Sequence, residues 1–494
     1  MSAPPPPSGR TTPGFPVVLA AVVVGLLAIR LIVGAAVHLT EDEAYYRLWS
    51  MKPAFGYYDH PPMISWWIWL GRAVAGDTAL GVRLPAILAA AAGGLLVFDL
   101  ARLAGADERT ARRAGVWFNA MPLVTAGGFL AVPDAPASLF WILTLWSALK
   151  ARRRGGAAWW IAAGAAAGLA ALSKYSALFL GPGVFMWLAW TPDGRARLRT
   201  AGPWLAALIA AAIFDLNVAW NADHHWLTFA KQFGRVVGNR FAPWHLVEFV
   251  GLQVLLINPL IAAFALGGLG ARRRADPGGA DLIFFVATSA PFILYLLVHS
   301  LHDRVQAHWP VLVYPAIAIC AAVAAARLGG AWTSLKPAAP ILGFAVCAAA
   351  LALVFLPAGA VDRRFDPASP VRGWPAFARQ LEGMRVSTSA AWVGTTSYGL
   401  NAQLADEAAL RAPTLQLDER ERYAGLETIR PDLSRPGVVV DLSRRINPAV
   451  LARCFGRVEP LGRLSRGSSA AFAGKSYAAF LVSDPRRDVI SQGC

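Results

Sequence analysis

Charged residues are scarce in this sequence, and their scarcity excludes most soluble proteins. Only 15% of the 494 residues are charged, whereas 56% are hydrophobic and the mean hydropathy is +0.46. A soluble globular chain carries about 25% charged residues. The composition therefore predicts a polytopic membrane protein.

Cysteine is also scarce, and no cysteine or histidine spacing is typical of a metal site. Two of the four cysteines, Cys320 and Cys347, lie in apolar runs, and Cys454 and Cys494 lie near the C-terminus. A disulfide between the latter two would require an oxidising compartment. The net charge of +16 comes mostly from short clusters between apolar runs, and no motif supports nucleic-acid binding.

Long apolar runs are abundant, and about 20 apolar residues suffice to cross a bilayer. A proline-rich lead at residues 1–14, predicted to be disordered, precedes the first run. We predict eleven spans, at roughly residues 15–37, 79–103, 114–131, 135–150, 157–173, 175–191, 203–220, 246–268, 281–299, 310–327 and 338–357.

The charge of the connecting loops alternates. Arginine and lysine are concentrated in every second connection, which the positive-inside rule assigns to the cytoplasm. These connections are Arg102–Arg113, Lys150–Arg154, Arg195–Arg199, Arg272–Arg274 and Arg327–Lys336. The unusual polar clusters all fall in the opposite set, which therefore faces outward.

From residue 358 the composition becomes more polar, and short strand patterns alternate with helical patterns. We predict a soluble α/β domain at residues 358–494 on the outer side, after a membrane domain at residues 15–357 whose first outer loop covers 38–78. The expected strands are Ala391–Thr395, Val438–Leu442 and Tyr477–Val482, and the expected helices are Trp374–Met384 and Tyr398–Leu410.

The first outer loop contains the strongest active-site candidates. Asp42 and Glu43 follow the first span, where acidic groups are costly unless solvated, paired or used. One of them could act as a general base. The alternative is structural, because Thr40 and Glu43 have the spacing of a capping box.

Other outward residues could bind substrate, each with a structural alternative. Asp59 and Asp134 have the local sequence of helix N-caps, and His60 is not needed for a cap. Lys174, beside Tyr175, and the cluster of Arg304 and His308 are candidates for binding a phosphate. The alternatives are snorkelling for Lys174 and ion pairing with Asp303 for Arg304. Arg83 could bind substrate or pair with a first-loop acid.

The motifs DEAYYRLWS, GYYDHPPMISWWIWLG, VPDAP, LSKYSA and AHWP, in this order, resemble those of the GT-C membrane glycosyltransferases. The resemblance is to the superfamily of the protein O-mannosyltransferases and the aminoarabinose (lipid A) transferases, in the branch called family 39-like. It covers the membrane part. This chain has Tyr45 and Asp59-His60-Pro61 where the aminoarabinose branch has an arginine and Glu-Lys-Pro.

The resemblance implies an enzyme that moves a sugar from a polyprenyl-phosphate donor to a lipid or glycan acceptor in the envelope. It implies catalytic roles for Asp42, Glu43 and Asp134, with inversion in a single displacement. We further expect Tyr45, Tyr58, Asp59, His60 and the cations above, with Tyr175, to bind substrate. The sequence identifies no definite cofactor, and the paired outer acids allow a divalent cation.

The predicted location is the bacterial inner membrane, with the active site and the C-terminal domain facing the periplasm. Protein O-glycosylation is an alternative activity. A transporter or flippase for lipid-linked sugars is a third interpretation, although the polar clusters lie at one face and no inverted repeat is present. A non-catalytic scaffold is a further alternative, in which the outward acidic residues have no catalytic role.

Overall fold

A computed structural model of the chain describes residues 17–234, 241–270, 281–356, 368–423, 426, 430–467 and 476–494. Three sequence predictions lie outside the described residues. These are the disordered lead at residues 1–14, the basic loop Arg272–Arg274 and the start of the C-terminal domain at residue 358.

Helices make up the described N-terminal part of the chain, with 3-10 turns at Tyr175–Phe179 and Trp309–Val313. The helices are α1 (Val17–Ala36), α2 (Glu41–Met51), α3 (Met63–Ala75), α4 (Ala79–Leu103), α5 (Glu108–Asn119), α6 (Pro122–Gly127), α7 (Asp134–Arg154), α8 (Ala157–Ala171), α9 (Leu180–Trp190), α10 (Pro192–Leu198), α11 (Ala201–Asp223), α12 (Leu227–Phe233), α13 (Trp244–Ile257), α14 (Pro259–Gly270), α15 (Leu282–His299), α16 (Tyr314–Arg327) and α17 (Trp332–Phe355).

Six helical segments in the described part are long and apolar enough to cross a membrane, or seven if α13 and α14, bent by 105°, form one span. The prediction of eleven stays a prediction. The segments at Ala157–Ala171 and Tyr175–Trp190 are apolar but shorter than a typical span. The predicted span 114–131 is divided between α5 and α6, where Pro122 begins a new helix.

Arg30 holds this divided region in place from the middle of α1. It is 1% exposed, and its guanidinium donates to the carbonyl of Val124 at 2.9 Å and to that of Thr125 at 3.4 Å. A charged side chain inside a membrane span is costly unless it finds such partners. The contact fixes α6, which contributes to the wall of the cavity described below.

A mixed five-stranded sheet forms the described C-terminal part, in the order β2-β1-β3-β5-β4. Strand β1 pairs in parallel with β2 and β3, and β5 runs antiparallel to β3 and β4. The elements are β1 (Trp392–Thr395), β2 (Thr414–Gln416), β3 (Gly437–Leu442), β4 (Phe455–Leu464) and β5 (Tyr477–Pro485), with α18 (Trp374–Ser387), α19 (Tyr398–Asp406), α20 (Arg420–Tyr423), α21 (Pro448–Cys454), α22 (Val489–Gln492) and a 3-10 turn at Ser369–Val371.

Two apolar clusters pack against the sheet, one around Trp374 and Phe377 and the other around Trp392 and Leu415. The three strands expected from sequence coincide with β1, β3 and β5. Neither β2 nor β4 was predicted, because β2 is three residues long and β4 is largely exposed, so neither has a clear apolar alternation. Cys454 and Cys494 form a disulfide.

Candidate active site

A cavity of about 750 Å³ brings residues of the loops predicted to face outward together with residues of the C-terminal domain. Much of its wall is apolar and comes from the membrane helices, including Phe118, Ile142 and Phe292. Its charged and hydrogen-bonding lining residues include Asp42, Asp59, His60, Asp134, Lys174, Tyr175, His308, Tyr398 and Arg422. A cavity of this size with convergent polar groups is the usual form of a ligand site.

Asp42 lies in the first turn of α2, a position that favours acidic side chains. Its carboxylate is accessible from the cavity, and the Tyr398 hydroxyl donates a hydrogen bond to its Oδ1 at 3.0 Å. Burial by the surrounding protein raises the pKa of Asp42, and the Tyr398 hydrogen bond partly opposes that rise. Within the described part of the chain, Asp42 forms no ion pair.

Glu43 lies away from the cavity and has structural partners, and its catalytic role stays a prediction. Its side chain is fully buried, and it receives hydrogen bonds from Arg83 Nε at 2.7 Å and Nη2 at 2.6 Å. It also completes the capping box with Thr40, whose Oγ1 accepts from the Glu43 amide at 3.2 Å. Burial opposes its charge, but Arg83 outweighs burial and lowers the pKa of Glu43.

Arg83 is likewise fully buried and is not among the cavity-lining residues. The pairing with a first-loop acid considered from sequence is observed, with Glu43, and the role in substrate binding stays a prediction. Its Nη1 donates to the carbonyls of Gly34 and Val37, and its Nη2 donates to that of His38. Gly34 lies in the last turn of α1, and Val37 and His38 directly follow the helix, where backbone carbonyls lack partners within it. Arg83 therefore joins α1, α2 and α4.

Asp134 and Lys174 form a buried ion pair in the cavity wall. Lys174 Nζ donates to Asp134 Oδ1 at 2.7 Å, and His308 Nε2 lies 3.7 Å from Asp134 Oδ2. Asp134 is the first residue of α7 and makes no capping bond, because its carboxylate faces Lys174. Burial opposes ionisation, yet Lys174 lowers the pKa of Asp134, whereas burial lowers the pKa of His308.

Asp59 is paired with an arginine of the C-terminal domain. Arg422 Nη1 donates to Asp59 Oδ2 at 2.7 Å, and its guanidinium carbon lies 4.1 Å from the centre of the Tyr398 ring. Burial raises the pKa of Asp59, with Arg422 opposing the rise. Helix α3 begins at Met63 without a side-chain cap, so Asp59 does not have the capping role considered from sequence. His60 lines the same cavity.

Three further predicted binding residues lie outside the cavity lining. Tyr45 is buried, and its hydroxyl donates to the Arg422 carbonyl at 3.1 Å. It therefore contacts the main chain of a cavity-lining residue rather than the cavity itself. The Tyr58 ring lies 5.3 Å from the Arg422 guanidinium. Arg304 has a side chain that is 70% exposed and paired with Glu248, and its contact with a donor phosphate stays a prediction.

Tyr175 lines the cavity, and its hydroxyl donates to Asn217 Oδ1 at 2.8 Å. Among the described residues, no group of three or more histidine, cysteine, aspartate or glutamate side chains could hold a metal ion. Two of the described cavity acids, Asp134 and Asp59, form ion pairs with Lys174 and Arg422.

Comparison with known proteins gives a consistent result for sequence and fold. Residues 59–220 match the family model described as dolichyl-phosphate-mannose-protein mannosyltransferase. The whole chain superposes on ArnT from Cupriavidus metallidurans bound to undecaprenyl phosphate with a TM-score of 0.63 at 16% identity, covering 94% of this chain and 97% of that one. The chain has the GT-C fold.

Two curated relatives are similar in sequence to part of this chain. Over 295 residues it is 26% identical to the lipid A galacturonosyltransferase RgtD of Rhizobium johnstonii, which covers 57% of this chain and 59% of the relative. Over 201 residues it is 30% identical to an undecaprenyl phosphate-α-4-amino-4-deoxy-L-arabinose arabinosyl transferase of Pseudomonas aeruginosa, covering 38% and 36%. The alignments thus span about three fifths of the first relative's length and about one third of the second's.

Sequence reasoning missed Tyr398 and Arg422, the two residues that the C-terminal domain contributes to the GT-C cavity. Tyr398 lies at the start of a predicted helix, and Arg422 lies in a short charged segment with no strong periodicity. Their partners Asp42 and Asp59 are 356 and 363 positions away. No local signal in the sequence connects them.

Proposed function

We propose that the protein is a glycosyltransferase that moves a sugar from a polyprenyl-phosphate-linked donor to an envelope acceptor related to lipid A. The GT-C fold, the two curated relatives and the cavity support this proposal. The observation that carries it is the difference in ion pairing among the three acidic residues of the cavity. Asp134 is paired with Lys174 and Asp59 with Arg422, whereas in the described part of the chain Asp42 has only a hydroxyl partner.

Asp42 is then the general base. A base must be ionised and have an accessible lone pair, and it must reach the proton that it removes. The acceptor hydroxyl transfers its proton to a carboxylate oxygen of Asp42 while its oxygen forms a bond to C1 of the sugar. The bond between C1 and the phosphate oxygen breaks, and polyprenyl phosphate leaves with the bonding electrons. This single displacement inverts the anomeric centre.

The leaving phosphate gains negative charge as the bond breaks, so fixed cations near it lower the barrier. Lys174 is the best candidate on the cavity wall, because Asp134 already holds its ammonium in one orientation. His308, also close to Asp134, provides a second polar group. The apolar wall around Phe118, Ile142 and Phe292 suits the hydrocarbon chain of a lipid carrier.

The proposed location is the bacterial inner membrane, with the cavity and the C-terminal domain facing the periplasm. The proposal rests on the alternation of loop charge and on the Cys454–Cys494 disulfide, which suits an oxidising compartment. The identity of the sugar is a separate question, because the names of the two relatives specify different sugars, a galacturonosyl group and an aminoarabinose.

The test uses the full-length chain in proteoliposomes, with undecaprenyl phosphate carrying either galacturonate or 4-amino-4-deoxy-arabinose and with lipid A as acceptor. Mass spectrometry of the lipids reports the transfer. We expect one donor to modify lipid A, and we expect Asp42→Asn to reduce the rate by about 100-fold or more. Asp193→Asn, a surface aspartate outside the cavity, is the matched control and should retain the wild-type rate.

The alternatives predict different results. If a peptide rather than lipid A is glycosylated, the protein is a protein O-glycosyltransferase. Movement of the intact donor between leaflets without transfer would indicate a flippase. Equal rates for wild type and Asp42→Asn would exclude Asp42 as the base.

A further inference from the structure

The C-terminal domain contributes two side chains to the wall of the membrane cavity. Tyr398, at the start of α19, donates its hydroxyl to Asp42, and Arg422, in α20, donates to Asp59. The two residues also contact each other, since the Arg422 guanidinium carbon lies 4.1 Å from the centre of the Tyr398 ring. A cation over an aromatic face at this distance is attracted by the ring.

Helix α19 is held against α2 by contacts outside the cavity. Arg47 Nε lies 3.1 Å from Asp406 Oδ1, and His38 Nε2 lies 2.7 Å from Glu407 Oε1. At Gly399, an added Cβ would lie 2.7 Å from Glu41 Oε2, so the helices approach closely there. The approach places Tyr398 directly over the first turn of α2.

We propose that Tyr398 is a positioning residue for Asp42 and that Arg422 fixes Tyr398, so that the C-terminal domain completes the catalytic site. This inference rests on the proposed function, in which Asp42 is the base. A free aspartate can rotate about its side-chain bonds, and only some rotamers direct a lone pair at the acceptor. The hydrogen bond at Oδ1 restricts that rotation and leaves Oδ2 available for the acceptor proton.

The backbone of Tyr398 is fixed as well. The Tyr423 hydroxyl donates to the Tyr398 carbonyl at 2.6 Å, and the ring of Tyr398 packs edge-on against Tyr45 at 5.1 Å. Tyr423 is next to Arg422, so α20 contacts both the main chain and the ring of Tyr398. Because Arg422 also pairs with Asp59, that carboxylate does not compete for the Tyr398 hydroxyl.

Removal of the Tyr398 hydroxyl has a predictable effect on the ionisation of Asp42. The titratable and charged groups that act on Asp42 are Glu43 on its own helix, His308 on the loop before α16, and Tyr398 and Arg422 from the C-terminal domain. Tyr46 also lies near it. The Tyr398 hydrogen bond stabilises the carboxylate form, so its loss raises the pKa of Asp42 further.

The test compares Tyr398→Phe with wild type in the full-length protein, with the rate of lipid modification measured from acid to neutral pH. Tyr398→Phe keeps the ring, its packing and the Arg422 contact. We expect kcat to fall about 10- to 100-fold, as for loss of a hydrogen bond to a charged group, with little change in the KM for the donor. The acid limb of the pH profile should move to higher pH.

Two further variants complete the test. Tyr314→Phe removes a buried tyrosine hydroxyl that donates to Gln253 outside the cavity lining, and should leave both the rate and the pH profile unchanged. Arg422→Lys keeps the charge opposite Asp59 but loses the planar group over the ring, and should reproduce part of the Tyr398→Phe effect.

A Tyr398→Phe profile that superimposes on that of the wild type overturns this inference and leaves the glycosyltransferase proposal intact. A rate that falls with no movement of the acid limb also overturns it, because general destabilisation lowers the rate at every pH. If the wild type transfers neither sugar to lipid A or peptide, both the proposed function and this inference fail.

Discussion

Lys174 donates a hydrogen bond to Asp134 across 2.7 Å, joining two residues that are 40 positions apart in the chain. Both residues are at least nine-tenths buried, so each has lost most of its hydration. Removal of one partner from such a pair leaves an uncompensated buried charge, whereas removal of both is often tolerated. This asymmetry allows the structural and functional roles of Lys174 to be separated.

Lys174→Met should lower the free energy of unfolding by about 3–5 kcal/mol, because Asp134 loses its partner. The double variant Lys174→Met, Asp134→Asn should recover most of this stability. If Lys174 contacts the donor phosphate, neither variant should bind undecaprenyl phosphate as tightly as wild type. Thermal unfolding in detergent measures stability, and titration with undecaprenyl phosphate measures binding.

Arg304→Met is the control for this experiment. The Arg304 side chain is exposed and pairs with Glu248, and exposed ion pairs contribute about 0–1 kcal/mol. Its stability and undecaprenyl phosphate binding should therefore match those of wild type. If Arg304→Met binds undecaprenyl phosphate more weakly than wild type while the double variant binds it normally, Arg304 rather than Lys174 contacts the phosphate.

The long apolar helices of the membrane part can be located from the sequence, although the number of spans cannot be read from it with the same ease. Apolar runs of about 20 residues locate the long helices, such as α1, α4 and α17, since each must cross a bilayer by itself. Shorter segments such as α8 are ambiguous, because length and composition alone do not distinguish a short span from a buried helix. The first-loop motif identifies Asp42 and Glu43 as candidate bases but does not distinguish between them.

The pairing of charged residues is much less predictable. Glu43 and Asp42 are adjacent and chemically similar, yet Glu43 points at Arg83 and Asp42 faces the cavity. Which acid is buried depends on the rotation of α2 against α4, a property of tertiary packing. Arg422 is harder still, because its partner Asp59 lies in another domain.

Glu43→Gln should test the structural assignment of Glu43. Arg83 would remain fully buried and lose its carboxylate partner, so we expect the free energy of unfolding to fall by about 3–5 kcal/mol. Asp42→Asn, which breaks no ion pair of the described residues, should change stability far less while reducing the transfer rate. Thermal unfolding and transfer assays on both variants measure the contrast. Normal stability together with lost activity in Glu43→Gln would assign Glu43 a catalytic role after all.

The contact between His38 and Glu407 should make the interface of the C-terminal domain sensitive to pH. Burial opposes the charge of His38, but the hydrogen bond to Glu407 outweighs burial and raises the pKa of His38. A histidine with a raised pKa in the folded protein adds stability below its unfolded pKa, about 6.5, and loses that contribution as the pH rises through the folded value.

The stability advantage of wild type over His38→Gln should therefore be largest at about pH 6 and shrink towards about pH 9. Thermal unfolding of both proteins across this range measures it. Glu407→Gln, which removes the acceptor charge, should show the same loss of pH dependence. An advantage that grows with pH would mean that His38 is neutral in the folded protein.

The disulfide between Cys454 and Cys494 provides a test of which side of the membrane the C-terminal domain faces. The disulfide links the last residue of α21 to Cys494, and the Cys494 amide donates to the Leu417 carbonyl at 2.6 Å. Together the two bonds hold residue 494 against the segment that follows β2. A bridge across 40 positions stabilises a fold by roughly 2–4 kcal/mol. Such bonds persist in the periplasm and are rare in the reducing cytoplasm.

In protein taken directly from bacterial cells and unfolded without reductant, a maleimide reagent should therefore label Cys320 and Cys347 but neither Cys454 nor Cys494. Reduction before labelling should expose all four thiols. Cys494→Ser should free the Cys454 thiol and lower the midpoint of thermal unfolding of the C-terminal domain. Labelling of all four cysteines without reductant would place the domain in the cytoplasm. In that case the cavity, which Tyr398 and Arg422 partly form, would open away from the periplasmic face where a lipid A acceptor is expected.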